Sequence, residues 1–142
     1  DLLAPEGAAL HRAAEAIEVI VNPPLALGAD AAAIARRRAE WKDLLAILLS
    51  TPNYWPTLEL MGVPGLGPAL RDAIRANRWQ DLSGMLGDEL ADELIGMASY
   101  DELPGLLADR YKGIASAVCL PLPDDERDDE AFGRAIRRIR EI

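Results

Sequence analysis

One cysteine, one histidine and one phenylalanine among 142 residues mark what this sequence does without. The lone Cys119 can neither close an internal disulfide nor build a thiolate metal cage, so nothing calls for an oxidising compartment and a cytoplasmic home is the default expectation. His11, the sole imidazole, has no Ser, Cys or Asp partner at a telling spacing, which argues against a catalytic triad or a histidine metal site. Positive charge is also short. Lys and Arg number 15 against 24 Asp and Glu, a formal charge of −9, which opposes any broad grip on nucleic acid phosphates or anionic lipid. Long apolar runs are missing as well: Leu44 to Leu49 is far below the ~20 residues of a membrane span, and no basic segment precedes an apolar one at the start. Nucleic acid and membrane therefore leave the list of expected partners.

What is there suits a globular unit. Half of the residues are apolar and 27% charged, enough for one domain with a core. The spacing predicts a short helix over 5–16. Ile17, Val19, Ile20 and Val21 read as a buried strand over about 17–22, stopped by Asn22, Pro23 and Pro24. A long helix is expected from an N-cap at Asp30 to about Leu49, with Ile34, Trp41, Leu44, Leu45 and Leu48 on its apolar face. Shorter helices follow over Asn53 to Met61, Ala69 to Trp79, Asp81 to about Met97 and Tyr100 to Tyr111. Ser99 and Glu102 make a capping box for the last, with Pro104 near its start. Ala117 to Leu122 reads as a second buried strand, and a helix over about 126–141 ends the chain, acid first and base last.

Strand, helices, strand, helix is the grammar of βα units in a parallel sheet. Two strands alone leave open edges, so the chain is expected to be the last piece of something larger, with the missing Met at Asp1 in keeping.

Three stretches carry a family resemblance: Ser50 to Gly62, Trp79 to Glu89 with its Asp88-Glu89 pair, and Arg110-Tyr111-Lys112-Gly113. Together they resemble the carboxyl-terminal part of the luciferase-like monooxygenase superfamily, in its deazaflavin-dependent oxidoreductase branch. The resemblance implies an α/β fold, the C-terminal fragment of a (β/α)8 TIM barrel in which 17–22 and 117–122 are the seventh and eighth strands. It implies hydride transfer between a coenzyme and a small organic substrate, with deazaflavin (factor 420) favoured over FMN. The catalytic positions would lie upstream, and these residues alone would bind coenzyme weakly.

In a barrel the loops after the strands build the active face, so Asn22 to Leu27 and Leu122 to Asp124 are the positions to watch. Asn22 could hydrogen-bond the coenzyme, or simply end a strand before two prolines. Asn53, Tyr54 and Trp55 could wall the coenzyme ring, or start a helix and anchor the core. Asp88 and Asp92 could share a cation, or form a solvated face, and the latter reading leaves no metal. Arg36, Arg37 and Arg38 read as scattered solvation and Cys119 as an inert strand residue. A non-catalytic helical module that pairs its short sheet with a second copy, as a homodimer, is the alternative from another class.

Overall fold

A computed structural model describes residues 17–141. The helix expected over 5–16, with His11, lies outside the described residues. Asp30 is extended, and its side chain accepts a 2.8 Å hydrogen bond from the Ala33 N–H, which opens α1 (Ala31–Leu49). Such a cap satisfies one of the free N–H groups at a helix start. Trp41 sets the rotation of α1: its indole N–H donates to the Leu25 carbonyl at 2.9 Å. Leu45, Ala46 and Leu49 consequently face inward, whereas Leu44, expected on the apolar face, lies exposed.

After a 3-10 turn at Pro52–Tyr54 come α2 (Trp55–Leu60) and α3 (Leu66–Arg75). Their packing depends on a missing side chain. A Cβ on Gly67 would sit 2.4 Å from the Trp55 ring, so only glycine lets the indole lie on the backbone of α3. Leu58 and Leu70, both fully buried, complete this contact.

The single helix expected over 81–97 is a correction. A 3-10 turn at Trp79–Asp81 runs into α4 (Leu82–Met85), the extended Gly87 breaks the chain, and α5 (Asp88–Leu94) follows. Residues 96–99 then leave the helix altogether as a strand. Leu82, Leu86, Leu90 and Leu94 have helical spacing, but tertiary burial of Leu82, Leu86, Ala91 and Ile95 in one core overrides it.

Among the described residues four short strands pair two by two. β2 (Leu25–Gly28) and β3 (Gly96–Ser99) are parallel, with Leu25 opposite Gly96 and Gly28 opposite Ser99. β1 (Ile20–Val21) and β4 (Ala117–Val118) are parallel with Ile20 opposite Ala117. Side chains alternate across a strand, and β2 uses both faces. Ala26 joins the core under α1, whereas Leu25 and Leu27 join a second core with Leu103 and Leu107. The latter two belong to α6 (Leu103–Tyr111), and Ala135 of α7 (Asp129–Ile139) closes that core. The β2–β3 pair is thus a thin sheet between two helical layers.

The barrel expectation is overturned. Among the described residues the strands form two separate pairs, and neither closes. The strand expected over 17–22 is two residues long and that over 117–122 likewise, both half-exposed rather than buried. Pro23 and Pro24 do not end the extended chain, since β2 begins directly after them. Proline lacks an N–H but still offers a carbonyl, and Pro24 O accepts from Gly96 N–H at 2.9 Å. The Ser99–Glu102 box is present: Glu102 Oε2 accepts from the Ser99 N–H at 3.0 Å and from its hydroxyl at 2.7 Å. Pro104 fits the first turn of α6, where a missing N–H costs nothing.

Candidate functional site

The carboxyl ends of β2 and β3 open on one small cleft. Leu27 and Gly28 bring β2 to it, Tyr100 directly follows β3, and the strap Pro121–Asp124 after β4 covers it. α1 supplies Ala33, Arg36 and Arg37 from its first two turns. A Cβ on Gly28 would lie 2.6 Å from the Ala33 Cβ, so glycine is what lets α1 start this close to the strand end. The enclosed volume is about 40 Å³, roughly room for a single water.

Charge in the cleft is mixed. Asp124 receives Arg36 Nη2 at 3.4 Å and a close contact from Arg37, while Glu40 on the same helix sits 3.2 Å from Arg37. Asp125 is held by Arg127, which keeps its carboxyl down at about 2. Tyr100 is almost wholly buried. Burial pushes its hydroxyl pKa up, the carboxylates of Asp128 and Asp124 add to this, and Arg37 opposes it. The ring packs edge-on against Phe132 at 5.8 Å. The anionic group that the two guanidinium groups hold is the Asp124 carboxylate, and Tyr100 lines the same cleft.

Of the loop positions expected to face a site, Leu27 and Leu122 to Asp124 line the cleft, whereas the four coenzyme-contact candidates lie elsewhere. Asn22 is exposed between β1 and β2, and Asn53 and Tyr54 are exposed on the 3-10 turn before α2. Trp55 is packed under α3 with Arg71 over its ring at 5.9 Å, and its indole N–H has no partner among the described residues. None of the four lines the cleft. Cys119 is exposed rather than part of a core. No cluster with metal-ligand character occurs among the described residues, and no helix there is long and apolar enough to cross a membrane.

Sequence reasoning treated the three arginines as unrelated, yet each has a partner. Arg36 and Arg37 reach Asp124. Arg38 Nε meets Asp92 at 2.6 Å, and Lys42 Nζ meets Asp88 at 2.8 Å. Lys42 first, then Arg38, holds the Asp88 carboxyl below its ordinary value. The acid pair of α5 is therefore a tie to α1. The available signal was Arg38 and Lys42 standing four apart, matched to Asp88 and Asp92 standing four apart, which places each pair on one helix face.

No family model matches the chain, and no solved structure matches it. It is 30% identical over 107 residues to uncharacterized proteins of Mycobacterium bovis and of two strains of Mycobacterium tuberculosis. The match takes in 75% of this chain and 31% of each relative, so the chain spans about a third of the length of the curated relatives it matches.

Proposed function

We propose that this chain is part of a flavin- or deazaflavin-dependent oxidoreductase of luciferase-like type, with deazaflavin favoured over FMN, that passes hydride between coenzyme and a small organic substrate. What supports the reading is the resemblance of Ser50 to Gly62, Trp79 to Glu89 and Arg110 to Gly113, together with two parallel strands whose carboxyl ends face one side; the cleft there, lined by Arg36, Arg37 and Tyr100, has room for about one water and does not itself enclose a coenzyme ring. Parallel strands present their carboxyl ends to ligands because loops and helix N-termini converge there. The stretches Ser50 to Gly62 and Trp79 to Glu89 support the coenzyme class by resemblance. In this reading the coenzyme carries the hydride and the protein supplies orientation and a dry wall. Leu27 and the nearly buried Tyr100, both in the lining of the cleft, are suited to the second task.

The test is spectroscopic titration of the full-length protein with oxidised deazaflavin and, separately, FMN. Saturable binding of deazaflavin, followed by bleaching of its absorbance on addition of a hydride donor, is expected. Binding of neither coenzyme overturns the reading.

One observation favours a second reading, that of an assembly module. β1–β4 is a two-residue pair with Ile20 63% exposed, an open edge on which another strand can add. Sedimentation of the chain across a concentration series separates the two, since self-association lost on Ile20→Lys supports the second.

A further inference from the structure

Two cavities lie on either side of one ion pair. The first is the 40 Å³ cleft at the ends of β2 and β3. The second, about 220 Å³, is lined by Leu25, Arg37, Glu40, Trp41, Leu44 and Pro121. Arg37 and Pro121 belong to both linings, so the strap Pro121–Asp124 and the Arg37 side chain form the partition between them.

The strap is weakly held. The Cys119 N–H donates to Val21 O at 2.8 Å, and the next backbone bond involves Asp125 O, which accepts from Asp128 N–H at 2.9 Å. Between them, Pro121 and Pro123 have no N–H to give, and Leu122 is 77% exposed. Asp124 is the side chain that fastens the strap, through Arg36 and Arg37 on α1.

Those arginines are the cations of the cleft. They occupy the second turn of α1, just beyond the Asp30 cap, and the first turn carries no acidic residue. Glu40 braces both from one turn further along. Asp125 is engaged by Arg127, and Asp128 lines the cleft with Tyr100, whose hydroxyl pKa its charge helps to raise. Among the described residues Asp124 is thus the one carboxylate that reaches the fork from outside the helix, and it is placed as an internal stand-in for a ligand.

The geometry points to a gated site for a small organic carboxylate with an apolar tail. The ligand's carboxylate replaces that of Asp124 on Arg36 and Arg37 as the strap lifts, and its tail lies in the larger cavity against Leu25, Trp41 and Leu44. Charge selects the head, because a guanidinium fork matches a carboxylate in two parallel hydrogen bonds. Apolar area selects the tail. This deepens the reading above by naming a substrate class for its cleft, but the binding requires no coenzyme.

The experiment is calorimetric titration of the full chain with phenylacetate and with its neutral isostere phenylacetamide, in the absence of coenzyme. Saturable binding of phenylacetate is expected, with phenylacetamide weaker by about tenfold or more. Arg37→Gln, checked for folding by circular dichroism, should abolish the preference for the acid. Asp124→Asn should tighten phenylacetate binding several-fold, since it removes the internal competitor and leaves the arginines in place. Equal binding of acid and amide, or no binding of either, overturns the site. Tight acid binding that Asp124→Asn weakens overturns the gate. Carboxylate binding by a chain whose full-length protein takes up neither coenzyme would leave this site standing while the oxidoreductase reading fails.

Discussion

Two parallel strand pairs of the same chain have opposite fates. β2–β3 has four residues a side, with every residue of β2 buried, whereas β1–β4 has two a side and lies half-exposed. Residue type does not separate them, because Ile20 and Val21 are better strand formers than Leu25, Ala26, Leu27 and Gly28. What separates them is covering. α1 packs on one face of β2 and α6 with α7 on the other, so each residue of that strand removes apolar surface from water. At about 25 cal/mol per Å², that removal outweighs backbone preference.

The sharpest way to break this comparison is a matched pair of truncations. Leu25→Ala should cost about 3 kcal/mol, within the range for a buried leucine left as a cavity. Ile20→Ala should cost less than about 0.5 kcal/mol, as for an exposed site. Urea midpoints at constant slope check both, and equal losses would mean that the pairs are energetically alike. Gly28→Ala comes next, at about 1–3 kcal/mol, since the new methyl meets the Ala33 Cβ and must force α1 away from the strand end. The same variant should weaken phenylacetate binding, because Arg36 and Arg37 move with α1.

Ser99→Ala removes the hydroxyl arm of the box that joins β3 to α6 and should cost about 1 kcal/mol. No equivalent device follows β1. Acid titration sharpens the same contrast. The Ser99 hydroxyl and backbone hold the Glu102 carboxyl below its ordinary 4.5, and Lys42 with Arg38 hold Asp88 below 3.8. Depressed carboxyls stabilise the fold fully above their unfolded values, and that contribution is lost as pH falls through the folded ones. Melting temperature should therefore drop below pH 4.5, and Glu102→Gln should flatten the upper part of that drop. Tyr100 acts at the other limb: its raised pKa means stability is lost as pH climbs past its ordinary 10. The smallest effect belongs to Arg38→Gln, a pair with exposed acids whose loss should be slight at low salt and vanish at high salt.

Particular residues show how far the sequence could be read. Asp30 as cap and the Ser99–Glu102 box both lie within a turn of the atoms they act on, so local rules suffice. The helix breaks at Gly87 and the strand at Gly96–Ser99 were hidden, since regularly spaced leucines fit one unbroken helix as well as two short ones. β2 was hidden for a related reason: two prolines before Leu-Ala-Leu-Gly read as a stop, and only a partner strand reveals that Pro24 contributes a carbonyl. The barrel expectation rested on the resemblance and fell with the pairing of the strands two by two. Leu122 to Asp124 were legible as a loop after a strand, but their tie to α1 was not, since Arg37 and Asp124 are 87 residues apart.

The sequence by itself determined that Asp30 opens α1, that Ser99 and Glu102 form a box, that a single cysteine closes no internal disulfide, and the excess of negative charge. These follow from side-chain chemistry and short-range hydrogen bonding. Only the tertiary structure decided which short apolar runs became buried strands, which face of α1 turned inward, and that two arginines of one helix would share a distant aspartate. Burial and ion pairing across the chain depend on what covers each residue, and that is a property of the packed whole.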